Sequence, residues 1–129
     1  MSLLQLSTAY VAFANQGVFT GSYAILEVRD ADGNLLYTPE RTPPQKIFDP
    51  RVTWLINDML SDDRARMLGF GPNSTLKLDR TAAVKTGTTT NYHDNWTVGY
   101  TPDLLVGVWV GRGACRPVVS TGTHRFATR

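Results

Sequence analysis

The sequence predicts an α+β fold in which helices cover an antiparallel sheet, and three observations carry that expectation. Two stretches, one near the start and one after Asp49-Pro50, repeat apolar residues at three- and four-residue intervals, the signature of a helix with one apolar face. From Thr81 onward, three apolar runs follow one another across turn-forming residues. Strands joined by such short turns pair antiparallel, and two helices suffice to cover one face of the resulting sheet.

In chain order, Leu3, Leu6, Tyr10, Val11, Phe13 and Ala14 form the first helical stripe, and Asn15-Gln-Gly17 ends it, Gly17 suiting the left-handed residue after a helix. The helix begins so near the first residue that no room is expected for a cap. Tyr23 to Asp30 and Asn34 to Tyr37 flank Ala31-Asp-Gly33, whose Asp-Gly pair favours a hairpin turn. Thr38 to Gln45 holds three of the seven prolines and is expected to be an extended surface connection. Asp49 is an N-cap followed by proline at the first helical position, and Val52, Leu55, Ile56, Met59 and Leu60 make the second stripe. Ser61-Asp-Asp63 ends it or caps an adjoining turn. Arg64 to Lys77 is expected to be mostly irregular, because Gly69, Gly71 and Pro72 break any period. The strand from Thr81 to Thr90 then turns through Asn91 to Asn95. Trp96, Val98 and Tyr100 alternate on the next strand, Thr101-Pro-Asp103 reverses the chain, and Leu104 to Val110 returns.

With 129 residues, 42% of them hydrophobic, the chain suffices for one modest domain. No run approaches the roughly 20 apolar residues of a membrane span, and the start lacks the basic and apolar regions of a signal peptide. A net charge of +2, with scattered Lys and Arg, argues against nucleic acid as a partner. Cys115 is the sole cysteine and the two histidines are far apart, so neither an internal disulfide nor a metal cluster is expected, and no cofactor is implied.

The most informative stretch is Thr81 to Thr90. Side chains of an extended chain alternate faces, so Lys85, Gly87 and Thr89 share one side and Thr86, Thr88 and Thr90 the other. A glycine inside a strand often marks close approach by a ligand or another backbone. One reading is an edge strand that receives an extended anionic peptide, with main-chain pairing, hydrogen bonds from Thr86 and Thr88, and positive charge from Lys85. A solvated strand end running into a Thr-rich turn fits the spacing as well. Ser74-Thr-Leu-Lys77 matches S-x-x-K, in which a lysine one helical turn away assists a serine nucleophile. Pro72-Asn73 before it and the lack of an apolar stripe after it argue against the helix such a pair needs. Asn73-Ser-Thr75 is a glycosylation sequon. His93 and Asp94 are neighbours on a turn and point apart, and His124 falls in a polar tail. Trp54, Trp96 and Trp109 each fall on an apolar stripe and are expected to pack in the core or on the sheet.

Val84-Lys-Thr-Gly-Thr88, Tyr92-His-Asp-Asn-Trp96, Val98-Gly-Tyr-Thr-Pro-Asp103 and Val106-Gly-Val-Trp-Val-Gly111 together resemble the penicillin-binding proteins, in particular the bifunctional class A group of the 1A/1C type. Leu4-Gln-Leu, Ala9-Tyr10, Phe13-Ala-Asn15, Leu60-Ser-Asp62, Arg66 and Phe70-Gly71 extend the likeness. The resemblance implies a partial penicillin-binding, β-lactamase-like fold and a peptidoglycan D,D-transpeptidase. In such an enzyme a serine attacks the D-Ala-D-Ala bond of a stem peptide and passes the acyl group to an amine; β-lactams acylate the same serine. It further implies Lys85 as the catalytic lysine, Thr86, Gly87 and Thr88 as substrate-binding residues, and the Thr88 N–H as an oxyanion-hole donor. The family's nucleophile motif would lie upstream, and no S-x-N occurs in the chain. Residues 3–111 are therefore expected to be the C-terminal portion of the transpeptidase domain, inactive alone, and 112–129 a divergent or disordered tail. The expected partners are stem peptides and β-lactams, with a membrane reached only through the missing upstream segment, at the outer face of a bacterial cytoplasmic membrane. Self-association through an exposed core is a further expectation. The alternatives are a D,D-carboxypeptidase or β-lactamase-type hydrolase fragment, and a non-catalytic peptide-binding module.

Overall fold

The computed structural model describes residues 1–111 and the short segment His124–Arg125. Cys115 and the rest of the tail after Gly111 lie outside the described residues. Helix α1 spans Leu3–Ala14, α2 Pro50–Ser61 and α3 Asp63–Phe70. Strands β1 (Val18–Phe19) and β4 (Gln45–Lys46) pair antiparallel, as do β2 (Val28–Arg29) and β3 (Leu35–Tyr37). The main sheet has the order β5-β6-β7-β8, from Ala83–Thr88, Asp94–Tyr100, Leu104–Gly111 and His124–Arg125, all antiparallel. The α+β expectation holds.

Helix α1 does have a cap. The Ser2 hydroxyl accepts from the Gln5 N–H at 3.2 Å and the Gln5 side chain accepts from the Ser2 N–H at 2.8 Å, a reciprocal capping box. The helix ends through Gly17, at φ +91°, whose N–H donates to the Ala12 carbonyl at 2.6 Å. A Cβ there would also lie 2.4 Å from the Phe48 carbonyl oxygen, so glycine is required twice over. The hairpin forms around Asp30, whose carboxylate accepts from the N–H groups of Asp32 and Asn34, with Gly33 at φ +85°. Asp49 accepts from the Arg51 N–H to cap α2, with Pro50 at its first position.

Further features differ from the sequence expectation. Residues 63–70 are helical because Asp62 accepts from the N–H groups of both Arg64 and Ala65; Gly69 and Gly71 do not prevent this, since Gly71, at φ +76°, serves as the terminator. The connection after Thr38 ends in β4, and a fourth strand joins the main sheet. The buried line of α2 is Thr53, Ile56, Asn57 and Leu60, one residue round from the apolar stripe, leaving Val52, Leu55 and Met59 exposed. Trp54 is turned outward with them, 64% exposed, rather than packed in the core.

Hydrogen bonds explain the rotation of α2. The Asn57 amide donates to the Phe13 carbonyl at 3.0 Å and its oxygen accepts from the Tyr100 hydroxyl at 2.7 Å, while the Thr53 hydroxyl donates to the Asp49 carbonyl. Buried polar groups must be paired, and here they are. The core beneath comprises Val11, Ala83, Val98, Tyr100 and Leu105, bordered by Leu6, Tyr10, Phe13, Ala14 and Leu60. An aromatic row runs through it: the Tyr100, Tyr10, Phe13 and Phe48 rings lie 5.9, 5.7 and 5.1 Å apart in turn. On the opposite face of the sheet Val106, Val108 and Val110 are exposed.

Burial, with a smaller contribution from Tyr10, pushes the Tyr100 phenol up to about 12. The unfolded chain would lose that proton near pH ~10. The native state therefore retains this stabilisation below about pH 10 and loses it as pH rises from there toward 12. Tyr100→Phe should remove this part of the alkaline loss and cost about 1 kcal/mol at neutral pH by unpairing Asn57. Urea midpoints of both proteins at neutral and alkaline pH check this; parallel pH curves would refute it.

Candidate functional site

Strand β5 lies at the end of the sheet and, among the described residues, pairs with β6 alone. Its register sets Ala83 against Tyr100, Lys85 against Val98, Gly87 against Trp96 and Thr88 against Asn95. Residues opposite one another share a face, so Ala83, Lys85 and Gly87 lie on the face that α1 and α2 cover, and Val84, Thr86 and Thr88 on the valine face. The alternation expected from sequence is present. The strand itself is shorter, Ala83–Thr88, and Thr89 and Thr90 belong to the following turn.

Two contacts reveal which backbone groups face β6. The Thr89 N–H donates to the Asp94 carbonyl at 3.0 Å, and the Ala83 carbonyl oxygen would be 4.0 Å from a Cβ on Gly99. Odd-numbered residues of β5 thus turn their N–H and C=O groups inward, and antiparallel geometry turns those of Val84, Thr86 and Thr88 outward. The Lys85 ammonium agrees with this, since it reaches along the edge to hydrogen-bond the Thr86 carbonyl oxygen. Lys85, Gly87 and Thr88 are exposed and Thr86 is half-buried. The Thr88 hydroxyl donates to the Asn95 side-chain oxygen at 3.2 Å.

Among the described residues the edge turns a row of main-chain donors and acceptors outward, the Thr86 carbonyl being taken by Lys85, with an ammonium on one face and two hydroxyls on the other. Gly87 has an unusual freedom there: an added Cβ would meet only Trp96 Cβ, at 3.8 Å, an ordinary contact. Packing among the described residues therefore does not demand glycine at this position. Beside it the Trp96 and Trp109 rings, 6.1 Å apart and tilted by 56°, occupy the same face as Lys85.

Sequence reasoning missed the clamp that finishes the strand. The Thr89 hydroxyl accepts from the Asp94 N–H at 2.9 Å and lies 3.3 Å from the Asp94 carboxylate. Between them Asn91 and Tyr92 adopt positive φ, 61° and 56°, a conformation costly for residues with side chains. Asp94 thus serves Thr89 rather than forming an acid–base pair with exposed His93. Ser74 and Lys77 lie in a turn, not a helix: the Lys77 N–H donates to the Ser74 carbonyl at 3.1 Å and the Ser74 hydroxyl oxygen accepts from the Leu76 N–H at 3.2 Å. Among the described residues no serine hydroxyl is hydrogen-bonded to a lysine side chain.

A family model described as the penicillin binding protein transpeptidase domain matches residues 1–111. Penicillin-binding protein 1A of Aquifex aeolicus is 35% identical over 127 residues, covering 98% of this chain and 16% of that protein. Penicillin-binding protein 4 of Bacillus subtilis is 35% identical over 112 residues, 87% of this chain and 17% of its own length. The chain thus spans only 16–17% of these relatives. Among solved structures, the penicillin-binding protein PonA1 of Mycobacterium tuberculosis superposes with a TM-score of 0.67 at 26% identity, over 84% of this chain and 29% of that one. The imipenem acyl-enzyme of penicillin-binding protein A from the same organism gives 0.70 at 20% identity, over 95% and 28%, a likeness of fold.

Thr89→Val should strand the Asp94 N–H and loosen the end of β5 by about 1 kcal/mol. Amide hydrogen exchange at Asp94 and Asn95 is expected to quicken while exchange at Val98 and Leu105 stays slow. Unchanged exchange at Asp94 would refute the clamp.

Proposed function

The chain belongs to the penicillin-binding protein transpeptidase family, and from that premise we propose that it is the part of a peptidoglycan D,D-transpeptidase that receives the stem peptide along β5. The observation that carries this reading is the outward row of backbone groups at Val84, Thr86 and Thr88 beside a glycine that internal packing does not require. An extended peptide ending in a carboxylate pairs with that row, Lys85 supplies the counter-charge, and the Thr86 and Thr88 hydroxyls complete the carboxylate contacts. For the ammonium to act it must leave the Thr86 carbonyl, which frees that oxygen to accept from the guest.

In the acyl-transfer step a serine oxygen attacks the penultimate carbonyl, the tetrahedral oxyanion is held by backbone donors including the Thr88 N–H, and the C–N bond breaks as the serine's proton passes to the nitrogen of the departing D-alanine, leaving the acyl-enzyme. The serine is supplied by a part of the parent protein upstream of residue 1, and this stretch alone forms no acyl-enzyme. β-Lactams enter the same edge by the same chemistry. The parent works on the cell wall outside the cytoplasmic membrane; among the described residues no helix is long and apolar enough to cross a membrane. The exposed valines of β7 and the outward face of α2 are surfaces for the remainder of that parent domain or for a second copy.

A peptide ending in D-Ala-D-Ala, titrated against the chain and its Lys85→Ala variant, tests the binding role. Saturable binding weakened roughly tenfold or more by the substitution is expected, the loss of one charge-assisted contact; equal binding by both refutes the role of Lys85. Incubation with a fluorescent penicillin followed by denaturing electrophoresis should give no covalent band. A band mapping to Ser74 would overturn the assignment of the nucleophile to another part of the parent.

A further inference from the structure

The turn at Gly71, where φ is +76°, brings residues of α3 and of the segment after it together, and the β5 site uses none of them. A cavity of about 100 Å³ results, lined chiefly by Asp63, Arg64, Arg66, Ser74 and Lys77. That space is large enough to admit a phosphate or carboxylate group.

Its charges divide into two kinds. Arg66, with only 10% of its side chain exposed, is committed to structure: it donates to Asp63 at 2.8 Å, to the Leu76 carbonyl at 3.0 Å and to the Leu60 carbonyl at 2.7 Å. That arrangement neutralises the one carboxylate in the lining and fixes the floor between α2, α3 and the 74–77 turn. Arg64 and Lys77, by contrast, are exposed at the rim and make no ion pair among the described residues. The Ser74 oxygen accepts from the Leu76 N–H, which leaves its O–H free to donate. Two cations without ion pairs and a hydroxyl donor, beside a floor whose own charges are paired, are the groups that oxyanion recognition uses. The second cavity near the sheet, about 150 Å³ beside Asn57, Ser61, Thr81 and Tyr100, has no charged lining and lacks this character.

We propose that this cavity is a binding site for a small oxyanion, a phosphate or carboxylate group, held by Arg64, Lys77 and the Ser74 hydroxyl. The S-x-x-K spacing of Ser74 and Lys77 then has a use other than nucleophilic catalysis: the turn sets both groups at one cavity without a bond between them. The site shares no residue with β5, so its failure leaves the peptide-binding reading untouched.

The test is titration of the whole chain with inorganic phosphate, and separately with acetate, at low ionic strength, followed by backbone amide resonances. Saturable shifts at residues 63–77 are expected, with an affinity independent of any shift that acetate causes along β5. Lys77→Ala and Arg64→Ala should each weaken binding roughly tenfold, Lys77→Arg should retain it, and Lys85→Ala should leave it unchanged. Tighter binding of phosphate assigns a phosphate-bearing ligand, and tighter binding of acetate a carboxylate. Shifts that grow linearly without saturation, or saturable binding that both alanine variants preserve, overturn the proposal.

Discussion

The hydrogen-bonded relay from Tyr100 through Asn57 to the Phe13 carbonyl is the constraint on which the arrangement depends. Its two bonds join the central strand, the second helix and the end of the first helix in one half-buried polar chain. Each bond contributes only about 1 kcal/mol net, but leaving any member unpaired would cost more. The relay therefore selects the rotation of α2, even against that helix's apolar stripe. Once α2 is set this way, Leu60 joins the core and the Leu60 carbonyl becomes available to Arg66. Through that arginine the position of α2 propagates to α3 and to the turn that precedes β5.

The sheet converts this framework into chemistry by parity. With Ala83 facing the core, every second residue after it must look the same way, so the burial of one small side chain decides the side on which Lys85 lies. The same parity governs the backbone: inward pairing at odd positions leaves outward groups at even ones. A cation and two alcohols are thereby set on opposite faces of one strand, beside its outward main-chain groups, without any loop to arrange them. The tight Thr89–Asp94 clamp ends the strand where its last threonine is still fully extended.

Much of this was legible in the sequence because it is local. Asp49-Pro50 specifies a helix start by satisfying an orphan N–H and presetting φ; Asp-Gly specifies the hairpin; alternation from Ala83 to Val110 specifies the strands and the faces of Lys85 and Thr86. What escaped is what depends on partners far along the chain. The buried side of α2 is chosen by Phe13 and Tyr100, more than forty residues away in either direction, and apolar periodicity alone pointed one residue round. Helix α3 has few apolar positions on a consistent face, so its cap at Asp62 was the only signal, and Gly69 and Gly71 masked it. The capping box at Ser2 is legible as Ser-x-x-Gln, though its place at the second residue masks it. The convergence of Ser74 and Lys77 on a cavity required knowing where Gly71 sends the chain.

Parity also bears on how this region can change during evolution. Inserting or deleting a single residue between Ala83 and Lys85 would exchange the two faces of the rest of the strand, carrying the ammonium to the valine side and the threonines under the helices. Only a local bulge at the point of insertion could restore the phase, and it would disrupt the ladder there, whereas a change of length in the turn from Thr90 to His93 leaves the parity of the strand intact. Length variation in descendants of this sequence should accordingly collect in the connection beyond the clamp and be purged from the three residues that lead into the lysine.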